Sequence, residues 1–477
     1  MNKISKKNEE SKKEKTRKLS IQEGAFSSVM SGIAEPFITP FALALQSTNF
    51  QIGMISAISG LAGPLAQLKG SKLIEKNSRV NVIVKYVTLQ AFIWIPILVL
   101  GLFFMNNLFL SSLPIFLIIF YALYAIFGSL AGPAYFSLMG DLVPQKIRGI
   151  YFGKRNRIAT TIALIATFAA SFILDFFKTE GYLLIGFSII FLIAGISRFI
   201  ASIIFNRHYE PPLNLPKEYY FSFTQFIKKA PKNNFGKFAI FVSLIYFSTL
   251  IAGPFFAVYM LSPSELGLGY KWFTLITLSS SIATLIFFPY WGKFSDKYGN
   301  KRLLVIGSIT ISITPILWIF SPDPLYLVLV PNVLGGIGWA AFNLGASNFI
   351  YEAVTPERRA ICVAYYNVLI GVGSFAGASL GGLITEYAPI SFMNVFLFVF
   401  LLSGISRALV SAIMLPKIKE VREIKKSLIN LRTFGYSRNK IKFLDIKKNE
   451  NIFLNLRGLV PMRGLLFDIF HLGKNKN

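Results

Sequence analysis

Twelve stretches of about 20 mostly apolar residues, each long enough to cross the hydrocarbon of a bilayer as a helix, dominate this chain. They fall at roughly 24–46, 51–69, 81–104, 112–137, 155–177, 183–206, 236–260, 271–291, 303–321, 325–350, 360–384 and 391–415. Composition agrees: 54% of the 477 residues are hydrophobic and 15% charged, with a mean hydropathy of +0.57, whereas soluble domains run at about 25% charged. The expected fold class is an all-α polytopic membrane protein with twelve transmembrane helices. Residues 1–23 are polar and lysine-rich, with no short apolar core or small-residue cleavage site, and read as a retained tail rather than a signal peptide.

The net charge of +27, from 49 Lys and Arg against 22 Asp and Glu, would suggest a polyanionic partner on a soluble protein. Here position explains it. Numbered from the N-terminus, alternate loops and the two tails hold 44 of the 49 basic residues, and the loops of the other side hold only Lys178 and Lys271. Basic short loops stay in the cytoplasm, so both termini are expected there, in a multi-pass protein of the cell membrane. Anionic lipid headgroups are the expected partners of the tails, and no nucleic-acid partner is called for. Residues 207–235 form a middle loop, where Tyr219 to Lys229 suits a helix lying on the membrane surface. In the tail from 416 to 477, Ile418, Val421, Ile424, Leu428 and Leu431 make a basic amphipathic stripe. One cysteine, Cys362, and two histidines, His208 and His471, leave no basis for a disulfide scaffold or a metal centre, and no cofactor is expected.

The six spans of 24–206 repeat in the six of 236–415. Ile33-Ala34-Glu35-Pro36-Phe37 parallels Ile251-Ala252-Gly253-Pro254-Phe255. Ser71, Glu75, Lys76, Ser78 and Arg79 parallel Gly292, Asp296, Lys297, Gly299 and the basic pair Lys301-Arg302. Asp141, Arg148 and Asn156 parallel Glu352, Arg359 and Asn367, and Gly195-Ile196-Ser197-Arg198 parallels Gly404-Ile405-Ser406-Arg407. Four matches in the same order argue for internal duplication. The stretch from Gly292 to Arg302 resembles the signature loop of the major facilitator superfamily, and the first-half copy is a degraded version of it. The resemblance implies two six-helix bundles around a central cavity that rock to expose one shared substrate site alternately to each side. It also implies that each half's loop braces the helix ends of the other. By that analogy Asp296 should meet Arg148, Arg155 and Asn156, and Glu75 should meet Arg359 and Asn367, as an interdomain latch in the cytoplasm-closed state.

Glu35 is the sharpest single residue, a carboxylate near mid-span, where an unpaired charge costs about 3 kcal/mol. It shares a helical face with Ser28, Ser31, Gly32, Thr39 and Gln46. Two readings fit it: a cavity group that carries a coupling proton or binds a cationic solute, and a structural carboxylate paired with a neighbouring helix. Tyr121 and Tyr124 in span 4, Asn332, Gly336, Trp339, Asn343 and Ser347 in span 10, and Asn367, Gly371, Ser374 and Ala378 in span 11 form further stripes that suit either a cavity wall or a packing seam. Arg198, Arg407 and Lys85 read as snorkelling anchors on the outside of the bundle.

The expected function is that of a monomeric secondary transporter moving a small solute, coupled to a proton through Glu35. No GxxxxGK[ST] loop supports an ATP-driven pump. A membrane enzyme or lipid-handling protein would need a catalytic constellation that the chain lacks, so it is not expected to be an enzyme; a non-transporting receptor on the same fold is the third class. Residues 158–176 contain no glycine or proline, which disfavours the family's antiporter motif without establishing import.

Overall fold

The computed structural model describes residues 3–144, 147–212 and 222–421. In chain order the helices are α1 (Lys3–Ile33), α2 (Ile38–Ala44), α3 (Asn49–Lys76), α4 (Arg79–Met105), α5 (Leu113–Leu142), α6 (Arg148–Thr179), α7 (Leu183–Phe205), α8 (Phe223–Lys229), α9 (Asn234–Ala252), α10 (Phe255–Leu261), α11 (Tyr270–Tyr298), α12 (Asn300–Leu317), α13 (Pro324–Leu327), α14 (Val333–Ala353), α15 (Pro356–Tyr387) and α16 (Val395–Met414). Every expected span coincides with one helix or with a broken pair. Among the described residues, nine helical stretches are long and apolar enough to cross a membrane. The other three expected spans have diluted composition: α1 with α2 carries the charged N-terminal turns, α3 is rich in Gly, Ser and Gln, and α12 is short with a basic start. The tail beyond 421, including Ile424, Leu428 and Leu431, and residues 213–221 lie outside the described residues.

One boundary differs from expectation. Residues 3–23 are not a separate tail but the first turns of α1, which runs unbroken to Ile33. Packing explains why: Thr16, Ser20 and Glu23 are buried, Arg17 donates to the Leu142 carbonyl at 3.0 Å, and the Tyr209 amide donates to the Thr16 hydroxyl at 3.0 Å.

The halves repeat in contacts as well as in sequence. Within the first, α1 packs on α6 and α7, α5 on α3 and α4, and α4 on α7; within the second, α9 packs on α15 and α16, α14 on α11 and α12, and α12 on α16. Proline lacks an N–H and clashes with the preceding turn, so helices break at Glu35-Pro36 and at Gly253-Pro254. Hydrogen bonds repeat too. Arg148 donates to the carbonyls of Gly140 and Val143 at 3.0 and 3.3 Å, and Arg359 to those of Tyr351 and Val354 at 3.1 and 3.3 Å, so each arginine satisfies carbonyls at the end of the preceding helix. Glu210 accepts from the Arg79 amide at 2.8 Å at the start of α4, and Glu420 from the Lys301 amide at 2.7 Å at the start of α12. Burial works against the Glu210 charge, but bonds from Ser78, the Arg79 and Val80 amides and the Arg79 guanidinium outweigh it and hold this carboxyl below its ordinary range.

The halves meet along α3 and α15, where small residues allow close approach. A Cβ on Gly53 would lie 2.7 Å from the Ala378 carbonyl oxygen, and one on Gly371 would lie 2.9 Å from that of Gly60. The span-11 stripe is therefore a packing seam between the halves. At the face opposite the basic loops, Phe37 of the first half packs on Phe273 of the second, ring centroids 6.0 Å apart. Asp175 at the end of α6 accepts from the Tyr270 and Lys271 amides at 2.7 and 2.9 Å, across the halves, and Glu386 at the end of α15 accepts from the Asn49 amide at 2.8 Å. At the basic face the first turns of α6 are open instead, with Ile150 79% exposed and free space around Gly149, Gly153 and Gly292.

A carboxylate on a helix N-terminus contributes about 1 kcal/mol. Asp175→Asn combined with Glu386→Gln should therefore shift the protein toward the state open at the opposite face. The check is cysteine accessibility at Phe37 and Phe273 in a cysteine-free background; unchanged labelling at both would show that the two caps do not hold this face closed.

Candidate functional site

The site is built on the break in the first span. The amide of Ala34 still donates to the Met30 carbonyl at 3.2 Å, but Pro36 ends the regular ladder and Glu35 becomes the first residue of a short 3₁₀ turn. Ala34, Phe37 and Ile38 are buried, while the Glu35 side chain is exposed and so leaves the packed face. Its Oε1 accepts a hydrogen bond from the Tyr124 hydroxyl at 2.5 Å, and the same hydroxyl lies 3.0 Å from Met30 Sδ. Tyr124 is fixed by its rings: Tyr121 stacks on it at 5.5 Å and 7°, and Trp94 meets it edge-on at 5.0 Å. The result is a carboxylate at the break of the first span, tethered by one phenol and walled by aromatic faces.

Behind it runs a polar chain. Tyr124's carbonyl accepts from Gln90 Nε2 at 3.2 Å, Gln90 Oε1 accepts from Arg198 Nε at 2.8 Å, and Arg198 Nη1 donates to Ser27 Oγ at 2.7 Å. Ser27 in turn lies 3.5 Å from Glu23 Oε2, and Glu23 Oε1 pairs with Arg155 Nη2 at 2.9 Å. Glu23 is 1% exposed. Arg198 is thus an interior residue, which corrects its reading as an outer anchor: its polar partners lie on α1 and α4, so the head group turns inward instead of snorkelling. Arg407 needs the same correction. It is 3% exposed and donates to the Ile311 carbonyl at 2.7 Å, inside the second half. Lys85 remains exposed, over the ring of Tyr86.

A profile of the Major Facilitator Superfamily matches residues 238–467. A 114-residue stretch is 30% identical to multidrug resistance protein 3 of Bacillus subtilis, covering 24% of this chain and 22% of that protein. The matched stretches span between about a fifth and two-fifths of the length of the first curated relatives. In three dimensions the chain is similar to a bacterial homologue of the iron transporter ferroportin in an inward-facing state (TM-score 0.65, 15% identity, 84% of this chain and 98% of that one). It is also similar to the xylose transporter XylE from E. coli in a partially occluded inward-open conformation (TM-score 0.61, 14% identity, 86% and 98%). The chain therefore resembles the Major Facilitator Superfamily, in sequence over its second half and in fold over most of its length.

On this superfamily fold the residues expected at a cavity divide. Glu35 and Tyr124 are brought into contact. Ser31 donates to the Ser28 carbonyl at 3.3 Å and is half-buried, as is Thr39. Asn332 donates to the Leu327 carbonyl at 2.9 Å within the π-turn Val328–Asn332. Trp339 is half-buried between Tyr246 and Phe342, at 6.0 and 5.7 Å, while Asn343 and Ser347 lie exposed on α14. Among the residues expected at the signature-loop latch, Arg148, Arg155 and Arg359 have hydrogen-bond partners within their own halves. Asn156 and Asp296 are exposed, and the Glu75 side chain lies outside the described residues. Asn367 does bridge the halves, donating to Gln67 Oε1 at 3.1 Å.

The sequence pattern does not single out Gln90, Ser27 or Glu23, and it leaves the direction of Arg198 open. Glu23, Ser27, Ser31 and Glu35 recur at four-residue spacing, so one helical stripe carries them all, and a span start set at 24 cut it short. Tyr124→Phe should keep the ring packing and the fold while freeing the Glu35 carboxyl. Modification of Glu35 by a hydrophobic carbodiimide, read by mass spectrometry, should then be faster than in the wild type; an equal rate would remove the phenol as its partner.

Proposed function

We propose that this protein is a secondary active transporter that moves a small solute by alternating access, with Glu35 as the group that binds the coupling proton. The observation that carries this reading is the placement of Glu35: at a helix break in mid-span, off the packed face, with one hydroxyl partner and Arg198 acting on it electrostatically. A carboxylate so placed can gain and lose a proton without dismantling a structural ion pair. On this reading both termini lie in the cytoplasm of a plasma-membrane protein, which the distribution of basic loops supports, and the conformation described is open inward. In proteoliposomes with an imposed proton gradient, Glu35→Gln should abolish gradient-driven accumulation of solute while preserving the fold. Accumulation at the full wild-type rate would rule Glu35 out as the coupling group.

The stacked Tyr121 and Tyr124 beside a carboxylate favour an organic cation as solute, since ring faces and a carboxylate both attract cations. The names of the curated relatives, which include multidrug resistance proteins, fit such a solute. Asp296 and Glu75 serve, on this reading, in the opposite conformation, where the basic loop of each half braces the start of α6 and of α15. Asp296→Asn should then raise the accessibility of a cysteine placed at Ile150, and equal accessibility in the mutant and the parent would dismiss the latch.

A further inference from the structure

Four charged residues line the inside of the first half along α1: Glu35, Arg198, Glu23 and Arg155. Two acids and two arginines sum to zero when both carboxylates are ionised and to +1 when Glu35 holds a proton. Arg198 occupies the middle. Its Nε donates to Gln90 of α4 and its Nη1 to Ser27 of α1, the serine that also approaches Glu23. Glu35 faces Tyr121 and Tyr124 of α5 and, electrostatically, Arg198 of α7. Glu23 faces Ser20 and Ser27 of α1, Tyr135 of α5, Arg155 and Tyr151 of α6, and again Arg198. Arg198 is therefore the one cation here that acts on both acids.

We infer that Arg198 is a positioning residue that carries the charge state of Glu35 to the Glu23–Arg155 pair at the basic end of α6, with Ser27 as the link. The inference rests on the proton-binding role proposed for Glu35. When Glu35 takes a proton from water, an O–H bond forms on its carboxylate and its negative charge disappears; Arg198 then has Glu23 as its remaining anion and stays on Ser27. When Glu35 returns that proton to water, its restored charge draws the guanidinium away from Ser27. Glu23 is left with Arg155 alone, and the contact between α1 and the first turns of α6 changes. Those turns are the ones that stand open at the basic face. Arg407, the repeat-related arginine, reaches a backbone carbonyl, and among the described residues it has no such pair of acids to choose between.

The test uses the full chain in lipid nanodiscs, with buried Cys362 replaced by serine and a reporter cysteine at Ile150. Maleimide labelling is followed against pH and divided by the labelling of a free thiol under the same conditions. The parent protein should show a pH-dependent rate, and Glu35→Gln should be flat. Arg198→Gln should be equally flat, and Arg198→Lys should restore part of the response. Because Arg198→Gln could fail to fold, Ser27→Ala, which leaves every charge in place, is the second variant and should weaken the response. A full parental response in folded Arg198→Gln, or in Ser27→Ala, overturns the inference and leaves the Glu35 reading intact. A parent as flat as Glu35→Gln removes Glu35 as the sensed group, and the inference falls with it.

Discussion

A charge held in hydrocarbon must be met by a partner, by water or by a proton, and the first half of this protein is arranged around meeting that requirement at two opposite charges, Glu35 and Arg198. Both side chains point inward, and each is reached by neutral donors or acceptors rather than by a direct ion pair: Tyr124 for the acid, Gln90 and Ser27 for the base. Trp94, Tyr121 and Tyr124 fix the geometry through ring contacts, so the phenol is held in place by packing. A direct buried ion pair would be harder to break. The looser arrangement leaves the carboxylate's charge open to change without loss of the fold.

Comparison of the halves shows what was added to a duplicated scaffold. Arg198 and Arg407 occupy equivalent positions, and so do Gln90 and Ile311. Arg198 bonds the Gln90 side chain, and Arg407 bonds the Ile311 backbone carbonyl. The arginine thus reaches the same place in both halves, and only the first half supplies a side chain to receive it. Glu35 is matched by Gly253, and Glu23 has no acidic counterpart one repeat along, where Phe241 stands by the spacing that relates the two helix breaks. The scaffold needs the proline break in each half. Glu35 and Glu23 belong to the first half alone.

Much of this was legible in the sequence. Span positions followed from apolar run length, and the repeat from paired residues such as Asp141 with Glu352; the structure extends that pairing, since Arg79 bonds Asp141 at 2.5 Å and Asn300 bonds Glu352 at 2.8 Å. Glu35 stood out because nothing apolar explains a carboxylate at that depth. What was not legible was direction. The depth of Arg198 fits a head group snorkelling outward as well as one turned inward, and only the tertiary neighbours Ser27 and Gln90 decide between them. In the same way a polar, lysine-rich N-terminus looks like a tail until the burial of Thr16 and Ser20 shows which face of it is packed.

The two faces are held by different means, and this bears on how the halves can move. At the face opposite the basic loops, Asp175 and Glu386, related by the same repeat that relates Arg148 and Arg359, each reach across to cap the first turn of a helix in the other half. At the basic face Arg148 and Arg359 turn back and satisfy carbonyls of their own half. Breaking the acidic caps would expose helix N-termini that water can satisfy, at a cost of about 1 kcal/mol each. The cross-half caps thus lie at one face, and the repeat-related arginines at the other are satisfied within their own halves. On the proposed role of Glu35, its charge would act on the balance between a face held by acidic caps and a face left open.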